Sequence, residues 1–288
     1  MAQSYQITLV EIGASAGAEA VVLALLVWAL TRHSAPDIAG RAPAVPTARR
    51  ETIGVLAYGL TAQLLGAAIG IALGWHPISF HLAGTLIGGH EPIGIPEALG
   101  WCAYNLTVYA VAPYLWFRRR YDRTALCLRS SDRRRDLLVI GVVLAFSTVS
   151  QLVGLSAAIL ALDPRQLTLG IPLTFTLYLL GTGLPTLVFV QAILVPRFAR
   201  LTGTSGAVLL GGLTYAALHL GDAWARFETV EQAVTSIGLV LLVYTFPGMF
   251  KAFLTVRTGN AWVHLWAYHA IAPHTLIDTP WIVRVFRI

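Results

Sequence analysis

The stretch from Leu184 to Leu220, LPTLVFVQAILVPRFARLTGTSGAVLLGGLTYAALHL, decides how this chain is read. It predicts an apolar helix, a short basic turn at Pro196–Arg200, a small polar loop at Thr202–Gly206, and a second apolar helix ending at His219. A histidine within an apolar helix of a membrane protein is costly to leave unpaired, so His219 needs a partner or a task. The preceding helix offers it no carboxylate.

The same apolar character runs through all 288 residues: 56% are hydrophobic and 12% charged, and the mean hydropathy is +0.69. A soluble domain carries roughly 25% charged residues, so that class is excluded. Ten-residue alternation of the barrel type is absent. The chain reads as an all-α, polytopic membrane helical bundle. About eight transmembrane helices are expected, near 7–31, 53–74, 98–117, 137–162, 171–195, 206–221, 232–250 and 259–277. The first run has no basic residue before it, so a retained helix is expected in place of a cleaved signal peptide. Cys102 and Cys127 offer neither metal spacing nor a disulfide framework.

Sixteen of the 20 basic residues fall on one side of that arrangement, eight of them between Arg118 and Arg135. Arg165, Arg226, Arg284 and Arg287 fall on the other. Basic loops face the cytoplasm, so a cell-membrane protein with both termini non-cytoplasmic is expected. The net charge of +6 then reflects topology and contact with anionic membrane lipids, with no nucleic acid implied.

Polar residues inside apolar runs are the site candidates. Glu19 lies near the middle of the first span, where a carboxylate is rare, and Glu11 lies nearer its outer end. Gly66, Gly70 and Gly74 form a close-approach face at the end of the second span, with Gln63 one turn earlier. The outer connection 75–97, WHPISFHLAGTLIGGHEPIGIPE, holds His76, His81, His90 and Glu91. Their spacing fits no recognised ligand pattern, so no metal site is expected. Asn105 opens an N-x-T sequence inside the third span, out of reach of glycosylation. Ser147, Thr148, Ser150 and Gln151 form a polar patch on the fourth span. His264, His269 and His274 are spaced by five; on an α-helix successive ones point about 140° apart at roughly 100° per residue, so they would not share one ion. His264 and His274 would lie about 15 Å apart along the axis.

From about residue 113 onward the layout resembles the type II CAAX prenyl protease family, which also covers bacteriocin-processing enzymes. The resemblance rests on PYLWFRRRYDRTALCLRSSDRRRDLLVIGVVL, on the stretch from Leu184 to Leu220, and on TGNAWVHLWAYHAIAPH. It divides the chain into N-terminal helices over 1–112 and a family-like core over 113–288. The family's Glu-Glu pair and following Arg align with Thr186, Leu187 and Gln191, so all three charges are absent. Its Phe-x-x-x-His motif appears as Tyr215 and His219; its last histidine appears as His269, with Pro273 at the amide position and His274 next to it.

The resemblance implies a membrane-embedded peptidase in which carboxylates and histidines ready a water for amide hydrolysis. Losing one partner of a buried charged set would cost about 3–5 kcal/mol, whereas joint loss strands no charge. The expectation is a protease scaffold without peptidase chemistry that binds a lipidated or hydrophobic peptide or a membrane partner. His219 and His269 are its retained catalytic-type residues; Thr186, Gln191, Tyr215 and His274 are the expected binding residues. An active endopeptidase that uses Glu19 as a relocated carboxylate is the alternative, and a transporter built on Glu19, Gln63, Gln151 and His219 is a third. Enzymatic activity and cofactors stay open at this point.

Overall fold

The computed structural model describes residues 2–33, 35–85, 91–154, 157–269, 271 and 274–288, with side chains from residue 8 onward except at 154 and 157. Among these residues the structure is helical, with no strand. The helices are α1 (Ala2–Thr31), α2 (Val45–Ala72), α3 (Ile95–Asn105), α4 (Ala112–Arg118), α5 (Arg133–Gly154), α6 (Ala157–Leu160), α7 (Pro164–Tyr178), α8 (Val195–Ala217), α9 (Val230–Thr258), α10 (Trp262–His264) and α11 (Thr275–Phe286). Wider π-helical turns join several of them, at Leu106–Val111, Leu179–Gly183, Thr186–Leu194 and Leu265–His269.

Among the described residues, five helical runs are long and apolar enough to cross a membrane: Thr8–Thr31, Val45–Ala72, Arg133–Val153, Pro164–Ala217 and Val230–Thr258. The fourth has 54 residues. Drawn straight it would span about 81 Å at 1.5 Å per residue, far more than the roughly 30 Å of a hydrocarbon core. It doubles back at Gly203, whose φ of 75° and ψ of 179° are non-helical. A Cβ on Gly211 would lie 3.3 Å from Val195, sixteen positions away in sequence. The break therefore sits within the expected polar loop, but the expected basic turn at Pro196–Arg200 is helical. Pro196 stands where the π-helical turn at Thr186–Leu194 passes into α8, and it has no N–H to give to the turn before it.

α9 is the central post. Its N-terminus carries a capping box between Thr229 and Gln232, and it ends at Gly259 in the left-handed conformation. α8 meets it through small residues: a Cβ on Gly248 would be 3.0 Å from the Gly212 backbone, and one on Gly212 would be 2.8 Å from the Thr245 carbonyl. α1 meets it at Gly13, where an added Cβ would be 2.8 Å from Leu242. Lipid does not drive helices together, so backbone proximity through small residues supplies the packing.

The glycine face on α2 serves a different neighbour from the helix it suggests. Gly66 and Gly70 receive the backbone of the outer connection: a Cβ on Gly66 would be 2.7 Å from the Ile78 carbonyl, and one on Gly70 would run into that of His76. Trp75 N donates to Gly70 O at 2.9 Å, and Ile78 N to Gly66 O at 3.3 Å. The Ser79 carbonyl accepts from Trp101 Nε1 at 3.0 Å and from Asn105 Nδ2 at 2.9 Å. Non-helical backbone at membrane depth is tolerated only when protein satisfies it in this way. The connection thus turns inward, and His81 ends up buried in the bundle.

The arginine-rich end is tied by buried polar pairs. Arg197 on α8 meets Glu51 on α2 at 2.8 Å. Asn260 Nδ2 donates to Asp136 at 2.8 Å. Arg257 donates to the Thr31 carbonyl at 2.6 Å and so satisfies a C-terminal group of α1.

Candidate functional site: a histidine cluster beside a cavity

Five histidines gather between α1, α5, α8, α9 and the outer connection. Ring centroids are 6.1 Å apart for His81 and His219, 5.3 Å for His81 and His274, 5.1 Å for His269 and His274, and 5.8 Å for His264 and His269. All five are buried. This corrects the expectation that His264, His269 and His274 diverge. Residues 265–269 form a π-helical turn, in which hydrogen bonds link positions five apart. A spacing of five there returns nearly to the same face, where an ordinary helix would turn it away. His274 lies beyond that turn, just before α11.

His219 sits in the turn after α8. Its Nδ1 bonds the Tyr215 carbonyl at 2.7 Å, and its ring stacks on Tyr244 at 3.8 Å. Two polar side chains that could have met it bond elsewhere: Gln191 accepts from Thr255 at 2.9 Å, and Glu19 accepts from Gln151 at 3.1 Å. His269 is fully enclosed with neither ring nitrogen hydrogen-bonded. Tyr215 touches both motif histidines, with ring separations of 4.5 Å to His219 and 6.1 Å to His269.

A cavity of about 80 Å³ opens beside the cluster, lined in part by Glu19, Gln151, His81, Tyr215, Lys251 and His274. The structure therefore brings Glu19, Tyr215 and His274 onto one cavity and sets His219 and His269 behind it. It does not bring Thr186 and Gln191 there. Both are fully enclosed, and Leu187 joins the largest hydrophobic cluster with Val188, Phe189 and Val190. The Thr186 hydroxyl has no hydrogen-bond partner. Pro273 and His90 lie outside the described residues.

Sequence reasoning missed Lys251, Asp278 and the inward turn of His81. Lys251 is 2% exposed, with its Nζ 3.7 Å from the Tyr215 ring centroid, an arrangement that a ring face stabilises. A lone lysine within an apolar helix was the available signal. Asp278 Oδ2 lies 3.5 Å from His274 Nδ1, and their four-residue spacing, one helical turn, was visible in the sequence. Asp222, which follows His219 in the chain, is clamped by Tyr244 at 2.5 Å and Ser79 at 2.8 Å. Carboxylates thus border the histidines, although none stands at Thr186 or Leu187.

His76 takes another course. Its ring bonds Glu97 at 2.7 Å and Glu91 at 3.0 Å, away from His81. Partial burial pulls its pKa down, but the hydrogen bonds and charges of Glu91 and Glu97 outweigh that, and the net shift is upward.

A second, apolar groove of about 400 Å³ is lined by Glu51, Gly54, Tyr58, Trp116, Phe117 and Phe189. A run of edge-on ring contacts connects it to the cluster: Phe189 to Tyr109 at 5.5 Å, Tyr109 to Phe80 at 4.9 Å, and Phe80 to His219 at 5.7 Å. No family model matches the chain, and neither a curated protein nor a solved structure matches it.

Proposed function

We propose that this is a multi-pass membrane protein of the CAAX-protease-like type, with about eight spans and both termini non-cytoplasmic, that binds a lipidated or hydrophobic peptide without cleaving it. The observation that carries this reading is the state of the three positions where the resembled family carries its Glu-Glu pair and Arg. Thr186, Leu187 and Gln191 are neutral, fully enclosed and off the cavity. No base can act from there. The groove offers the volume of a small-ligand pocket, and its lining of Tyr58, Trp116, Phe117 and Phe189 suits a branched hydrocarbon chain. The ring contacts from Phe189 to His219 run from that groove toward the polar cluster.

The test uses purified protein in detergent with a fluorescent prenylated peptide. Saturable binding without release of a fragment is expected. Gly54 lines the groove, and a Cβ there meets nothing within 4 Å. Gly54→Phe should therefore fill the groove and weaken binding at least tenfold without unfolding the protein. Turnover that disappears in His219→Ala or His269→Ala would overturn the binding-only reading.

One observation favours a second reading, an active hydrolase. Glu19 lines the cavity, and its Oε1 has no hydrogen-bond partner, so it could take a proton from a water held there. Glu19→Gln would then abolish turnover while expression stays intact; unchanged activity in that variant removes this reading.

A further inference from the structure

We propose that His81, His274 and Asp278 bind one divalent transition-metal ion of the zinc class. The site uses neither motif histidine, although His81 packs against His219 and His274 against His269, and it stands whether or not the cavity performs chemistry.

Three observations converge. One ligand atom from each residue lies within 4.8 Å of the others, and the His274 Nδ1 to Asp278 Oδ2 separation is 3.5 Å. Zinc bonds of about 2.0–2.1 Å in tetrahedral geometry set donor atoms roughly 3.4 Å apart. One pair already fits, and the widest remaining gap has to close by up to about 1.4 Å through side-chain rotation. Second, all three side chains are buried, at 4%, 7% and 2% exposure, and neither ring nitrogen of His81 has a hydrogen-bond partner. A buried polar group left without a partner is costly, and a metal bond would satisfy one of these nitrogens. Third, the ligands are held from outside. Tyr178 stacks on the His274 ring at 4.4 Å with an interplanar angle of 9°. His274 and Asp278 sit one turn apart at the start of α11. The Ser79 hydroxyl, which shares its one proton between Asp222 and the His81 carbonyl, lies 2.9 Å from that carbonyl. Partners that orient ligands in this way are part of a functional metal site.

The donor set selects the ion class. Two imidazoles and one carboxylate suit zinc and its neighbours in the first transition row. Calcium takes six to eight oxygens, and magnesium asks for near-octahedral oxygen coordination. His81 and His274 also line the cavity, so the fourth position faces open volume, as in three-ligand zinc sites that keep a water. Lys251 lines the same cavity, with its Nζ over the Tyr215 ring.

The experiment takes the full chain in detergent, strips it with a chelator, and titrates zinc with calorimetry and elemental analysis. One equivalent is expected, together with a rise in melting temperature. Cobalt(II) should give the intense visible bands of a tetrahedral nitrogen/oxygen site. His81→Gln and Asp278→Asn should each weaken binding by at least tenfold and lose the cobalt bands, while melting near the metal-free wild type. His76→Gln should leave them unchanged. No stoichiometric binding, or binding that survives both His81→Gln and Asp278→Asn, overturns the proposal. So does binding lost in His76→Gln, which would move the ion to the outer His76–Glu91–Glu97 group. If His81→Gln fails to fold, Asp278→Asn and the wild-type cobalt spectrum decide by themselves.

Discussion

The Arg197–Glu51 pair should hold α2 against α8, and its contribution can be worked from the structure. The guanidinium is 1% exposed and the carboxylate 8%. Arg197 Nε also reaches Glu51 at 2.8 Å, and its Nη1 donates to the Ile193 carbonyl at 2.7 Å. Phe117 and Tyr121 face the guanidinium at 4.6 and 4.9 Å, and the Tyr121 hydroxyl donates to Glu51 at 2.8 Å. Two unit charges at 4 Å attract by about 4 kcal/mol at an effective dielectric of about 20. Arg197→Met removes one charge and leaves the Glu51 carboxylate buried without its cation, which costs about 3–5 kcal/mol. Replacing a whole buried pair by groups of similar volume is often nearly neutral. The double variant Glu51→Gln/Arg197→Met should therefore recover most of the loss, to within about 2 kcal/mol of wild type. Cys102 and Cys127 are both buried and free, so a thiol-reactive fluorophore reports unfolding in a denaturing-detergent titration. A single variant that loses less than about 1 kcal/mol, or a double variant as unstable as the two singles combined, would refute the assignment of this pair as a coupled buried unit.

Further expectations follow from other contacts. His76 has a raised pKa, so its ion pairs with Glu91 and Glu97 should stabilise the outer connection fully below its unfolded value, about 6.5. That stabilisation should fade as pH rises through the higher folded value, and melting curves across neutral pH should lose this dependence in His76→Gln. Gly212→Leu should separate α8 from α9, because the added carbon meets the Thr245 carbonyl at 2.8 Å and Met249 N at 2.9 Å; a loss of about 1–3 kcal/mol is expected in the same titration. Gly66→Leu should displace the Ile78 carbonyl and carry His81 with it, so zinc binding should fall even where the fold persists. Thr229→Ala should cost about 1 kcal/mol through loss of the α9 cap, with peptide binding unchanged.

Much of the architecture is dictated by solvent. A hydrocarbon medium requires each apolar run to close its own backbone hydrogen bonds, so the long runs at 8–31, 45–72, 133–153 and 230–258 announce themselves through composition and length. The reversal inside 164–217 was legible too, because Thr202–Gly206 is the polar break in that run. The candidate site was legible only in part. His219, His269 and Glu19 stand out as polar residues in apolar segments, a property of the residue and its immediate neighbours.

What the amino-acid sequence by itself determined is the apolar, helical class of fold and the polar residues that demand an explanation, because each follows from local transfer energies. Tertiary structure alone decided which of those residues meet. The outer connection settles on Gly66 and Gly70 and so delivers His81 to the interior. The widened turn at Leu265–His269 brings together histidines that ordinary helical spacing would scatter, and the cavity collects Glu19 from one end of the chain and His274 from the other. Such meetings depend on backbone register and on contacts between segments far apart in sequence, which no window of local periodicity contains.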